Sequence, residues 1–563
     1  LYYSEHNYNK WKGAVDSTLS IWRNSTMHLL LSFGEKEKQI YLDKHLSQRD
    51  EFLSMLWYFN RYHKTDSLNE SYFKIVTALQ GWLLSGSQEL NSLVFQKKDT
   101  ALVAVFNKWL VIKNQYTRAI QMSEDEQKKA KLDVDSLSLL AGDLEKNIIS
   151  RLPELQESLY NTAVPPEKIA ARLNQDDVFV NWVSFKYKNP QNWTDSILYA
   201  AFVINPKYKT AKFVYAFEQN QLKALLKNYF NYSGRGIVVK SSKTKKSVGS
   251  DLYKLVWKPI LPYIKNAGRV FIIPSGLLNK ISFQSLEDST KKVLLETVEV
   301  HLLNNSNELF NNYDSSINTT QSVCLFGGAD FDSTSDGQSI GSEAGKQWPY
   351  LKGSADEVMQ LSEKFKEKNW STKLYSGVEA SEENFKSLSG INSPTILHIA
   401  THGFYLPLRK FTENSKNLSS NNDESFPLLR SGFVLSGANV YSNRSNTIKH
   451  YEDGIVTAQE ISNLDFRNTK LITLSACETA LGDIDNNEGV YGLQRAFKIA
   501  GVKEMLITLW EIPDNETRLL MNLFYRHILD GDSYYEALHK AQLTMKINYP
   551  DPAIWAGFEL IGE

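Results

Sequence analysis

Apolar side chains recur at helical spacing through the first third of the chain. Ile75, Leu79, Trp82 and Leu83 form one such stripe, and Leu137, Leu140, Leu144 and Ile148 form another. Residues three and four apart share a helix face, so the stretch from Asn7 to about Leu173 is predicted to be all-helical. Ser85-Gly-Ser and Pro153 are expected breaks between helices, and Pro165-Pro166 opens a short helix through Ile169 and Leu173 that leads to the next unit. No 34-residue repeat stands out, so a plain helical scaffold is favoured over a tetratricopeptide-like array.

At Asp177 the pattern switches to strands. Val178, Val180 and Trp182 alternate with their neighbours and continue through Ser184 to Tyr187, followed by Ile197 to Ile204 and Lys212 to Phe217. Arg269-Val-Phe-Ile-Ile-Pro274 then reads as a buried strand after a helix ending near Ala267. The Ser- and Lys-rich run Lys240 to Lys246 has no interleaved aromatics, which makes it a surface loop rather than a nucleic-acid patch.

From Ser322 strands and helices take turns. Strands are expected at Val323 to Phe326, Thr372 to Tyr375, Thr395 to Ala400, Lys470 to Ser475 and Glu504 to Leu509. Helices are expected at Ala355 to Glu367, Glu382 to Leu388, Tyr491 to Ala500 and Glu516 to Leu529. This order predicts an α/β fold with a mostly parallel sheet covered by helices, and chemistry at the carboxyl ends of its strands. Asp332 to Gln347 and Thr412 to Ser425 are predicted surface loops, the second placed to gate a site near His402.

A chain of 563 residues exceeds one hydrophobic core and implies roughly two to four domains. Its 63 basic and 64 acidic side chains nearly cancel, so charge recruits neither nucleic acid nor membrane. Only two cysteines are present, which argues against a disulfide framework and for a reducing, cytoplasmic setting. Closely spaced sets of Cys and His ligands are missing from the sequence, so neither a metal nor another cofactor is expected. No run reaches the ~18 apolar residues of a membrane span, and a chain opening at Leu1 reads as a fragment or a trimmed chain.

Two strand ends carry candidate chemistry: His398-Ile-Ala-Thr-His-Gly403 and Leu474-Ser-Ala-Cys-Glu-Thr-Ala-Leu-Gly482. Alone, either His402 or Cys477 would pass for an ordinary loop or core residue. Together, each closing a strand of one parallel sheet with small residues around it, they suit a cysteine protease. Cys477 would be the nucleophile and His402 the base. The backbone N–H groups of Gly403 and Cys477 are candidate oxyanion donors. Cys324 and His398, flanked by apolar neighbours, are assigned to the core, as are Trp510 and Trp555.

These segments resemble the CHAT domain, a caspase-like and separase-related group of His/Cys dyad peptidases. The resemblance includes Arg269 to Gly276, Ile281 to Leu286, Phe326 to Phe331, His398 to Phe404 and Leu429 to Ser436. It continues through Leu471 to Gly482, Glu488 to Phe497, Ala500 to Val502, Thr508 to Asp514 and Trp555 to Phe558. Beyond the helical region over 1–175 read from spacing, it implies a degenerate, non-catalytic half over 176–320 and a catalytic domain over 321–563. It also implies the His402/Cys477 dyad. Asp330 and Asp514 fall at positions similar to pocket-lining residues of such enzymes, with Glu511 a further alternative. A carboxylate there favours Arg or Lys before the cut, although Asp514 can equally serve as a helix N-cap. Asp483, Asp485 and Glu488 read as solvated loop acids or holders of a regulatory ion. By the same resemblance the expected partners are a protein substrate, gasdermin-like in a bacterial defence setting, and an activator docking on the helices. The competing reading is a catalytically silent CHAT-fold module that binds peptides.

Overall fold

A computed structural model of the chain describes residues 13–562 except 14–15, 23, 27–34, 64–65, 98, 121, 123, 161–162, 209, 234–235, 240–247, 311–320, 335–347, 407–426, 443–451, 476–481 and 486–488. The expected loop 240–246 and most of the two long loops therefore lie outside the described residues, as does Cys477.

The described part of the first third is helical, as its spacing predicts: α1 (Glu35–His63), α2 (Asp66–Leu79), α3 (Trp82–Gln96), α4 (Thr100–Ile120), α5 (Glu124–Ala130), α6 (Val134–Ser150), α7 (Pro153–Tyr160) and α8 (Pro166–Arg172). Pro153 and Pro166 each stand at the first helical position, where a missing N–H costs nothing. The break expected at Ser85-Gly-Ser is instead one turn earlier. Gly81, with φ 66°, takes the left-handed conformation that ends α2 and starts α3, while Gly86 is absorbed inside α3.

Eleven strands form one sheet. In chain order they are β1 (Asp177–Lys188), β2 (Trp193–Ile204), β3 (Lys212–Glu218), β4 (Arg269–Ile273), β5 (Glu299–Leu302), β6 (Ser322–Ala329), β7 (Ser371–Gly377) and β8 (Ile396–Ala400). A separate three-stranded sheet contains β9 (Gly403–Tyr405), β10 (Ser431–Val434) and β11 (Ile455–Thr457). The chain returns to the large sheet with β12 (Leu471–Leu474), makes the hairpin β13 (Gly482–Asp485) and β14 (Gly489–Gly492), and ends with β15 (Glu504–Thr508) and β16 (Phe558–Ile561). The order across the large sheet is β3-β2-β1-β4-β5-β16-β15-β12-β8-β6-β7.

Most neighbours in this sheet are parallel, as expected. The antiparallel pairings are β1 with β2, β2 with β3, and β15 with β16. The last of these reverses the sheet's direction. Because β16 is parallel to β5, the strands β1, β4 and β5 run opposite to β15, β12, β8, β6 and β7. The segment Pro274-Ser-Gly276 therefore leaves the sheet at the edge opposite to His402.

Alternation along β1 and β4 explains how the helical third attaches. Val178, Val180, Trp182, Val270 and Ile272 face the core shared with the rest of the sheet, whereas Phe179, Val183, Phe185, Phe271 and Ile273 pack against the helices. The Phe73 ring of α2 meets Phe179 and Phe202 edge-on, with centroids 6.4 and 5.5 Å away. Each buried Phe contributes about 2–3 kcal/mol of burial free energy, so the helices are seated on the sheet rather than tethered to it.

Four further helices matter for the site: α9 (Lys352–Glu367), α10 (Leu493–Ile499), α11 (Asp514–Leu529) and α12 (Tyr534–Asn548). A helix from Tyr491 is expected, yet Tyr491 and Gly492 complete β14, and the extended Gly492 delays the turn to Leu493.

Candidate active site

The strands that carry the candidate chemistry are fully buried. Ile396 to Ala400 and Leu471 to Leu474 have no exposed position, as expected of a parallel sheet covered on both faces. They are adjacent and parallel, with Ile399 opposite Leu474, and the Ser475 N–H donates to the Ile399 carbonyl at 2.9 Å. His402 and Cys477 each stand three residues beyond that last register pair. The two chains thus leave neighbouring strands at the same edge, although Cys477 itself lies outside the described residues.

His402 is half-buried and held from several sides. Thr401 donates its hydroxyl to the Val434 carbonyl at 2.6 Å, and the Val434 N–H donates to the His402 carbonyl at 3.0 Å. The imidazole Nε2 is 2.7 Å from the Pro349 carbonyl oxygen, and the ring lies against Phe331 and Trp348, with centroids 5.4 and 5.7 Å away. A carbonyl only accepts, so Nε2 carries the proton, and in the neutral ring the lone pair is then on Nδ1.

The ladder also fixes Gly403. The bond from Val434 to His402 makes 402 and 434 a hydrogen-bonded pair, so Gly403 and Phe433 form a non-hydrogen-bonded pair. The Gly403 N–H consequently points out of the β9–β10 ladder.

Asn439 braces the aromatic side of His402 and was not legible in the sequence. It is fully buried. Its Nδ2 donates to the Trp348 carbonyl at 2.8 Å and to Asp332 Oδ1 at 2.9 Å, and its Oδ1 accepts the Trp348 N–H at 3.0 Å. Its own N–H donates to the Phe331 carbonyl at 2.9 Å. One side chain therefore fixes the segment whose next residue, Pro349, holds the imidazole. The Trp-Pro pair following a polar loop was the available signal; a backbone carbonyl leaves no other trace.

The acidic candidates are distributed around this edge. Asp330 follows β6 and directly precedes Phe331, which touches the His402 ring. It is half-buried, and its Oδ1 accepts the Asp332 N–H at 3.1 Å. Asp514 is exposed and is the first residue of α11; the capping position belongs to Pro513, so Asp514 is not the N-cap that the sequence allows. It packs on Gly353, where an added Cβ would lie 2.6 Å from the Asp514 Cβ. Glu511 is exposed. Asp483 and Asp485 belong to β13, and Glu488 is outside the described residues. Among the described residues no group of three or more His, Cys, Asp or Glu side chains is arranged to hold a metal ion, and no helix is long and apolar enough to cross a membrane.

Cys324 lies in the core, as expected, where burial pushes its thiol up to about 11. His398 is also buried, but in polar company: Glu357 on α9 and Tyr525 on α11.

A mostly parallel α/β sheet with a braced histidine at the carboxyl edge of its central strands defines the class. The chain belongs to the CHAT domain family, whose model matches residues 246–563. Two curated relatives are similar over a short stretch. Tetratricopeptide repeat protein 28 of Mus musculus is 32% identical over 111 residues, and that of Homo sapiens is 30% identical over 110. Each match covers 19% of this chain and only 4% of the relative, so the chain spans a small fraction of their length. Among solved structures, the Arg-specific cysteine proteinase gingipain R is similar at 8% identity and a TM-score of 0.34, covering 55% of this chain and 68% of that one. The Saccharomyces cerevisiae separase–securin complex gives 9% identity and a TM-score of 0.38, covering 99% of this chain and 48% of that one. Likeness at these scores carries no argument about fold or chemistry.

Proposed function

We propose that the chain is a cysteine endopeptidase in which His402 is the general base and Cys477 the nucleophile. The observation that carries this reading is the hydrogen bond from His402 Nε2 to the Pro349 carbonyl, on a strand whose parallel neighbour leads to Cys477. With Nε2 committed, Nδ1 takes the thiol proton. The thiolate sulfur then bonds to the scissile carbonyl carbon, and the carbonyl π pair moves to oxygen, where the Gly403 and Cys477 N–H groups receive it. Collapse breaks the C–N bond, the imidazolium gives its proton to the leaving amine, and water hydrolyses the thioester with His402 again as base.

Asp330 is the favoured specificity carboxylate, because the next residue touches the His402 ring; Asp514 is the alternative. Either favours Arg or Lys before the cut. The substrate is a protein loop, and a gasdermin-like protein in a bacterial defence setting fits the family resemblance. Segment 176–320 acts as the non-catalytic half: its parallel strands present their carboxyl ends to the opposite edge. The helical third provides the platform for an activating partner.

The test is digestion of a positional-scanning fluorogenic peptide library by the full chain and by Cys477→Ala. Cleavage after Arg or Lys that disappears in the variant supports the reading. Cleavage that survives the substitution refutes it, and cleavage after other residues removes Asp330 and Asp514 from the specificity pocket.

A further inference from the structure

We propose that the buried quartet Glu357, His398, Tyr525 and Thr473 is a positioning unit that holds the His402 strand, the Cys477 strand and the Pro349 carbonyl in reactive register; it rests on the dyad reading above. His398 stands four residues before His402 on β8, Thr473 stands four before Cys477 on β12, and His398 and Thr473 are register partners. The quartet therefore ties the two strands together one short step below their reactive ends.

The contacts form a continuous line. Glu357 Oε1 is 2.9 Å from His398 Nε2, His398 Nδ1 is 3.1 Å from the Tyr525 hydroxyl, and that hydroxyl donates to Thr473 Oγ1 at 2.7 Å. All four residues are buried, none more than 2% exposed. The proton on Nδ1 can be assigned by counting. Tyr525 spends its only hydrogen on Thr473, so its oxygen accepts from His398 Nδ1–H. Nε2 faces Glu357 Oε1 at 2.9 Å, a close polar contact without hydrogen-bond geometry. Both ring nitrogens thus face side chains within the core rather than the edge that carries the dyad. Burial holds the Tyr525 phenol well above its ordinary range, so it stays a donor.

An apolar residue at position 398 would pack without the cost of burying polar atoms. What the quartet supplies is geometry. Glu357 lies on α9, and Pro349 stands three residues before that helix begins at Lys352. At the same end, Gly327 and Gly328 of β6 let α9 approach so closely that a Cβ on Gly327 would lie 2.7 Å from the Ser354 carbonyl oxygen. The close approach of Glu357 to His398, together with these glycines, fixes α9 along β8, and so fixes where the Pro349 carbonyl meets His402. Tyr525 extends the same constraint to α11 and β12.

The test follows alkylation of Cys477 by iodoacetamide against pH in the full chain, read peptide by peptide by mass spectrometry. In the wild type, pairing with His402 gives a reactive thiolate in mildly acid solution, and His402→Ala removes it. His398→Gln and Tyr525→Phe, folded by circular dichroism, are expected to move the onset of alkylation to higher pH, with about a tenfold slower rate for each pH unit of displacement. Folded variants with the wild-type profile, alongside an altered His402→Ala, overturn the positioning role and spare the dyad. An unaltered His402→Ala overturns the dyad and the positioning role together. Should His398→Gln not fold, Tyr525→Phe decides, because it removes one hydroxyl and leaves the packing.

Discussion

Replacing Asn439 by Asp changes one NH2 group to an oxygen and leaves the shape of the side chain intact. In the native site that group donates to the Trp348 carbonyl and to the Asp332 carboxylate. In Asn439→Asp both contacts become oxygen against oxygen at under 3 Å, in a fully buried position. Loss of the neutral bond costs about 1 kcal/mol and of the charged one about 2 kcal/mol. Leaving the buried acceptors unsatisfied adds roughly 1–3 kcal/mol, for a total of about 5 kcal/mol. At roughly 2–4 °C per kcal/mol for a domain of a few hundred residues, unfolding should move down by about 10–20 °C in scanning fluorimetry. Because Trp348 precedes Pro349, the substitution also loosens the acceptor of His402, and peptide cleavage should fall by about a hundredfold even below the lowered transition. Unfolding and cleavage both unchanged would refute the assignment of Asn439 as the brace of the site.

Two further outcomes are expected. The Cys324 thiol, pushed up to about 11 by burial, should resist iodoacetamide at pH 8 in the folded chain, so label on that residue would contradict its core placement. Burial also raises the Glu559 carboxyl to about 8 from an ordinary 4.5. Its folded pKa exceeds its unfolded one, so the fold binds more protons, and stability falls as pH rises from about 4.5 to 8. In Glu559→Gln that decline of the unfolding temperature should flatten; a slope equal to wild type would count against a protonated Glu559.

The local grammar of this chain was readable because it is repetitive. Apolar runs such as Leu471 to Leu474 and the helical stripes of the first third are set by neighbours a few residues away, and they appear where expected. The reversal of the sheet was not readable, since it depends on Ile561 meeting Leu302 across more than half of the described α/β region. Local chemistry also misled at Ser85-Gly-Ser, where packing kept a glycine inside a helix. At the site, His402 was marked by its own side chain, whereas its partner is a main-chain carbonyl at Pro349, and any residue except its placement could have supplied that oxygen. Asn439 read as an ordinary turn residue because all its partners come from other parts of the chain.

The family match begins at residue 246, but the sheet does not. β4 is zipped along its full length to β1, from Asp177 opposite Arg269 to Asn181 opposite Ile273, and its Phe271 and Ile273 are roofed by the helical third. A piece cut at the family boundary would present an open apolar strand edge, a template for pairing with copies of itself. The block that can be recognised as a unit is thus smaller than the block that can stand in water alone, and any shuffling of the helical third onto another partner would have to carry β1, β2 and β3 along with it.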